Sequence, residues 1–99
     1  MQTNTKRVAV IGAGIAGLTC TKSCLEEGLE PVTFERTGHI GGLWHFTEDI
    51  VEGQGCVMRS TVANTSKECM AFSDFLVPDD FPNMMHNRLV MNSNISINM

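Results

Sequence analysis

The chain has 99 residues, 42% of them hydrophobic and 18% charged, with a formal net charge of −4. That length fits one small globular domain, but such a chain buries only about 60 to 65% of the surface its unfolded form exposes, which leaves a thin margin of stability. The acidic balance argues against nucleic acid or an anionic membrane as partner, since either needs a basic patch, and no run approaches the roughly 18 apolar residues of a membrane span.

Residues 6–11 read as a parallel strand, because the run is short, apolar on both faces, β-branched at intervals and closed by glycine. Residues 14–28 read as its crossover helix. Leu18, Thr21 and Leu25 recur at steps of three and four, and Gly17, Cys20 and Cys24 form an adjacent stripe of small side chains that lets the helix approach a sheet. Gly28 suits the helix stop, and Pro31 opens a second strand, PVTFE, residues 31–35. A right-handed crossover lays that strand parallel to the first. The predicted unit is β-α-β, the start of a Rossmann-like α/β domain whose sheet is incomplete.

Beyond Arg36 the signal weakens. Residues 36–55 hold five glycines and no sustained period, so they read as loop. Residues 56–75 fit a short strand or a helical turn, with residues 64–66 as a break or cap, and residues 77–83 form a proline-bounded turn. The tail 87–99 shows neither helical nor strand register. All eleven acidic residues fall between Glu26 and Asp80, so the tail also differs in composition. Cys20, Cys24, Cys56 and Cys69 lack the spacing of a metal site, Cys20 and Cys24 on the predicted helix read as small packed thiols, a reducing compartment is implied, and no metal is expected.

The chemistry lies in VAVIGAGIAGL, residues 8–18. Gly-x-Gly-x-x-Gly on its own is a weak signal. Here it follows a strand, opens a helix and precedes Glu35, at the end of the second strand, by eighteen positions. Gly12 permits the tight turn, Gly14 lets backbone approach a pyrophosphate, and Gly17 allows close packing of helix on strand. Amide groups and the helix dipole hold the anion. Glu35 accepts from the ribose hydroxyls and repels a 2′-phosphate, so this site suits FAD or NAD rather than NADP.

A second feature is HIGGLWHF, residues 39–46, where Gly41 and Gly42 leave amides open and Leu43 and Trp44 supply an apolar wall. Trp44 as a plain core anchor is the other reading. His39 and His45 read as solvent-facing or capping loop residues rather than catalytic or metal-ligating ones.

Together with CLEEGLEP, FER, GGLW, SKE, SDF and FPN in order, these residues make the chain resemble the N-terminus of vertebrate flavin-containing monooxygenases of the dimethylaniline N-oxide-forming type, over roughly residues 5–87. The resemblance implies FAD as the first nucleotide, with Gly12, Ala13, Gly14, Ile15, Ala16 and Gly17 at its pyrophosphate, Glu35 at its ribose, and Gly42, Leu43 and Trp44 along its body. It implies that Asn64 and Thr65 lie beside the flavin ring, Asn64 as the catalytic side chain that also helps hold NADP+; on local sequence alone Asn64 is a turn residue. The implied reaction is NADPH-driven reduction of FAD, capture of O2 and oxygen transfer to a soft nitrogen or sulfur nucleophile, in an enzyme of the endoplasmic reticulum membrane.

Family members are several times longer, with a second glycine motif for NADPH and a hydrophobic C-terminus. The expectation is therefore a partial FAD-binding domain over residues 1–87 and a divergent tail over 88–99, cytosolic on its own and without turnover. The alternatives are a non-catalytic regulatory or interaction fragment, part of another FAD oxidoreductase with two dinucleotide sites, and an NAD-binding sensor. GGLW in place of a basic residue disfavours the amine oxidase branch of the second of these.

Overall fold

The first third of the chain obeys its local pattern closely. In the computed structural model, which describes residues 4–49, 51–55 and 57–96, strand β1 (Arg7–Ile11) leads through the glycine turn into helix α1 (Ile15–Glu26) and back to strand β2 (Glu30–Phe34). The strands pair in parallel, with Arg7 opposite Glu30 and Ile11 opposite Phe34. This is the β-α-β opening of a Rossmann-like domain with a sheet of two strands among the described residues.

Helix α1 ends as the sequence predicts. Gly28 has φ +76°, its amide donates to Leu25 O at 3.2 Å, and the Leu29 amide donates to Cys24 O at 2.9 Å. Those two bonds make a Schellman stop, in which a glycine takes the left-handed position and satisfies the last carbonyls. The packed face differs from expectation. Leu18 and Cys24 are buried, whereas Cys20 is exposed and Leu25 is 62% exposed. Thr21 accounts for the rotation: its hydroxyl donates to Gly17 O at 2.8 Å and lies 2.7 Å from the Thr33 hydroxyl. With its own hydrogen spent on Gly17, Thr21 accepts from Thr33, and this polar contact with β2 fixes the face that docks. Cys56 lies outside the described residues.

The expected two-sided burial of β1 is not found. Ile11 is 81% exposed and Phe34 56%, because α1 covers one face and two strands leave the other bare. The radius of gyration, 15.4 Å, exceeds the about 13 Å of a compact chain of this size.

The described residues of 36–55 are loop, apart from one 3₁₀ turn at Gly42–Trp44. Residues 66–71 form turns, with the Ser66 hydroxyl 3.4 Å from the Cys69 amide as a cap, and Phe81 N–H closes the proline turn on Pro78 O at 3.0 Å. Lys67 Nζ donates to the carbonyls of Asp79 at 2.8 Å and Phe81 at 3.0 Å, pinning that turn from inside.

The tail corrects the sequence reading, because Asn87–Ser96 is a helix, α2. Its anchor is tertiary. Asn87 is 3% exposed, and its side-chain amide donates to the carbonyls of Met58, Arg59 and Thr61 at 3.0 to 3.3 Å. His86 caps the helix: Nδ1 accepts from the Arg88 amide at 3.1 Å, which leaves Nε2–H to donate to Arg59 O at 2.7 Å. Val90 completes a small core with Ala63, Val77 and Met85, flanked by Trp44, Phe81 and Leu89. Residues 97–99 lie outside the described residues.

Asn87→Ala is expected to lower the unfolding free energy by about 1–3 kcal/mol, since carbonyls lose a buried donor. Asn87→Asp is expected to cost more, because it turns a carboxylate toward the same oxygens. Urea denaturation followed by circular dichroism measures both.

Candidate functional site

The glycine turn lies where both parallel strands end, the position at which open α/β sheets take ligands. Gly12 has φ +102°, and its amide donates to Phe34 O at 2.7 Å, which ties the turn to the end of β2. Gly17 faces back onto the turn: a Cβ there would overlap the Gly12 carbonyl oxygen. The spacing Gly12 to Gly17 is thus a steric requirement of seating α1 on its own entry turn. The helix ladder begins with Leu18 N–H to Gly14 O at 2.9 Å, which leaves the first-turn amides at an open positive end suited to an anion.

Ala13 is 2% exposed, and both of its backbone groups are used. Its amide donates to Glu35 Oε1 at 2.9 Å, and its carbonyl accepts from the Gly41 amide at 2.8 Å. Ala13 is therefore a pin holding three segments together. Among the predicted pyrophosphate residues it has no free donor to offer, unlike the open amides of the first helical turn.

Glu35 sits just past β2, with its carboxylate turned toward the glycine turn. The Ala13 amide, then the amide and hydroxyl of Thr37 on Oε2 at 2.9 and 2.7 Å, hold its pKa down to about 2 from the ordinary 4.5. It is a fixed anion at neutral pH. Thr37 is a site residue that sequence reading missed; the available signal was a threonine two places beyond a strand-end glutamate, a spacing that favours a local side-chain turn.

Gly41 and Gly42, with φ +107° and +55°, bring the next segment against the glycine turn. A Cβ on Gly42 would stand 3.0 Å from Gly14 Cα, and one on Gly41 would overlap the Met91 side chain. The two glycine pairs thus meet backbone to backbone. Beside them Glu35, Thr37, His39, Gly42, Leu43 and Gln54 line a cleft of about 210 Å³. Leu43 is half exposed on this cleft, while Trp44 turns the other way and packs on the small core, so the apolar wall and the core anchor are two neighbouring residues.

His39 and His45 depart from the solvent-facing expectation. Their rings stack with centroids 3.5 Å apart, and His39 Nε2 is buried without a hydrogen-bond partner. Burial, and then the neighbouring His39, hold the His45 pKa below its ordinary 6.5. Asn64 and Thr65 are exposed on a bend after the Val62–His86 bridge, apart from the residues that line the cleft. The structure brings together the glycine turn, Glu35 and the 41–44 turn, and it leaves Asn64 and Thr65 outside that group. Among the described residues no three His, Cys, Asp or Glu side chains converge as a metal site would require, and no helix is long and apolar enough to cross a membrane.

A family model described as flavin-binding monooxygenase-like matches residues 5–96. Flavin-containing monooxygenase 5 of Mus musculus is 63% identical over 86 residues, which make up 87% of this chain and 16% of that protein. Dimethylaniline monooxygenase [N-oxide-forming] 2 of Cavia porcellus is 56% identical over 82 residues, 83% of this chain and 15% of that protein. The chain thus spans roughly a sixth of the curated relatives it matches. Among solved structures, S-allyl-L-cysteine S-oxygenase from Allium sativum superposes with TM-score 0.82 at 27% identity, covering 94% of this chain and 25% of that one. A steroid monooxygenase bound to NADP, with TM-score 0.68 and 19% identity over 96% of this chain and 17% of its own, shares the fold.

Two outcomes are expected from this geometry. Because the folded Glu35 pKa lies below the unfolded one, its contribution to stability is complete above about pH 4.5 and is lost as pH falls to about 2. The difference in unfolding midpoint between wild type and Glu35→Gln, constant near neutrality, is therefore expected to shrink across that window in thermal melts. Gly17→Ala is expected to cost about 1–3 kcal/mol in urea denaturation, since the Gly12 carbonyl must move to admit a methyl group.

Proposed function

Because the chain belongs to the flavin-binding monooxygenase-like family, we propose that it is the FAD-binding N-terminal portion of an NADPH-dependent monooxygenase that oxygenates soft nitrogen and sulfur nucleophiles. The observation that carries the FAD reading is the Glu35 carboxylate, hydrogen-bonded to the turn that would hold the pyrophosphate, which sets ribose acceptor and phosphate cradle at one fixed separation. Two relatives, one an N-oxide-forming dimethylaniline monooxygenase and one an S-allyl-L-cysteine S-oxygenase, support the nucleophile class.

The residues present fit the cofactor. Gly14 and Gly42 let the two turns meet backbone to backbone, an approach that a Cβ on Gly42 would crowd, beside the open amide end of α1. The amides of Gly14, Ile15, Ala16 and Gly17 would hold the pyrophosphate, with Gly12 and Ala13 shaping the turn that presents them. Glu35 would take the ribose, Gly42 and Leu43 would border the nucleotide, and Trp44 would brace that border from behind. When bound, the flavin supplies the redox and oxygen chemistry. The chain's own share is to bind, orient and shield it, with Asn64 and Thr65 assigned to the flavin ring and Asn64 to the catalytic contact that also meets NADP+. We assign the partial domain to residues 1–87 and the tail to residues 88–99, while the family match runs on to residue 96 within helix α2. In the full-length enzyme the reaction takes place at the endoplasmic reticulum membrane, with O2 and small nucleophiles as co-substrates.

The bare sheet face at Ile11 and Phe34 supports the further reading that these 99 residues have no turnover on their own. Purified in excess FAD and then desalted, the chain is expected to retain flavin absorbance, and Glu35→Ala to weaken retention by about ten-fold or more in Kd. A folded chain that elutes without flavin, or that holds NAD in its place, would refute the FAD reading. NADPH- and substrate-dependent oxygenation by the pure chain would refute the absence of turnover.

A further inference from the structure

His39 and His45 stand on either side of the 40–44 turn, and their stacked rings close its base. The turn itself is held at one point by Gly41 N–H to Ala13 O and covered from α2 by Met91 against Gly41. Among the described residues, His39 Nε2 is buried and has no hydrogen-bond partner. Being inaccessible, it cannot meet a ligand in the cleft, so its unmet hydrogen bond is a cost of the closed turn that opening would relieve by hydration. Two charged imidazolium rings in face-to-face contact repel each other, so the closed stack disfavours protonation of the pair.

Burial and the facing ring favour the neutral pair, and the charged neighbours are of both signs. On the cleft side His39 has Arg36 and Glu35 as neighbours, and the Glu35 carboxylate is already engaged by Ala13 and Thr37. On the other side His45 shares a cavity with Arg59, His86 and Arg88. Of these, Arg59 pairs with Glu48, and both ring nitrogens of His86 are bonded to backbone.

We propose that the His39–His45 stack is a proton-operated clasp: neutral rings keep the 40–44 turn closed against the glycine turn, and protonation opens it. The direction follows from linkage. The open turn binds more protons than the closed one, so closure weakens as pH falls below the ordinary histidine range. The clasp stands independently of the flavin reading, and only its consequence, looser nucleotide retention at acid pH, rests on that reading.

Trp44 is the sole tryptophan of the chain and sits inside the clasped turn, so its emission maximum reports opening without any cofactor. In the 99-residue chain a red shift is expected between about pH 7 and about pH 5, with far-UV circular dichroism unchanged. His39→Phe/His45→Phe, which keeps two stacked rings that cannot titrate, is expected to abolish the shift although His86 remains. His45→Asn, which removes the stack, is expected to show the acid-form emission already at pH 8. An emission maximum that does not move with pH, a shift that persists in the double phenylalanine variant, or a shift that coincides with loss of helical signal would each overturn the proposal.

Discussion

The hydrogen bond from the Ala13 amide to the Glu35 carboxylate is the contact on which the rest of this site depends. It joins the first turn of the chain to the end of β2, across twenty-two residues, and it holds only because Gly12 takes a left-handed φ that aims the next peptide toward that strand. The opposite side of the same residue, its carbonyl, receives the Gly41 amide. One buried alanine thereby sets the separation of three segments, and each of them contributes glycines or a carboxylate that a larger or neutral side chain could not replace.

This arrangement explains why a thin molecule can still carry a defined site. Among the described residues the sheet has two strands and one covered face, so burial alone gives little rigidity there. The second half of the chain adds a separate small core around Met85 and Val90, and the contact between the halves runs through Trp44 packed on that core and Met91 packed on Gly41. The ion pair from Lys22 to Asp74, 2.5 Å long but largely exposed on the acidic side, adds little by comparison, because solvent screens it. Packing at residues 41–44 is what couples the β-α-β unit to everything after it.

What the sequence makes legible follows from this division. The β-α-β unit, its glycine stop at Gly28 and the acidic residue at the end of β2 are local patterns, each written within a few residues, and the structure reproduces them within a residue or two. The face of α1 was misjudged because a threonine pair, Thr21 and Thr33, outweighs a leucine when the sheet below is only two strands wide. Helix α2 was missed because its support comes from carbonyls near residue 60, which no window on the tail can contain. The histidine stack is likewise a product of the two glycines between its members, whose positive φ values fold the chain back on itself. Asn64 and Thr65 entered through family resemblance, and nothing in their own neighbourhood distinguishes them from an ordinary bend.

The occupied state of Glu35 also bears on selectivity. A carboxylate offers about four lone-pair directions, and here the Ala13 amide uses one on Oε1 while the amide and hydroxyl of Thr37 use two on Oε2. One direction is left, so on the proposed reading a ribose diol that engages both oxygens would have to share or displace Thr37. Discrimination against a 2′-phosphate would then rest less on a full set of ribose bonds than on a carboxylate whose negative charge is locked by the same three donors that use up its lone pairs.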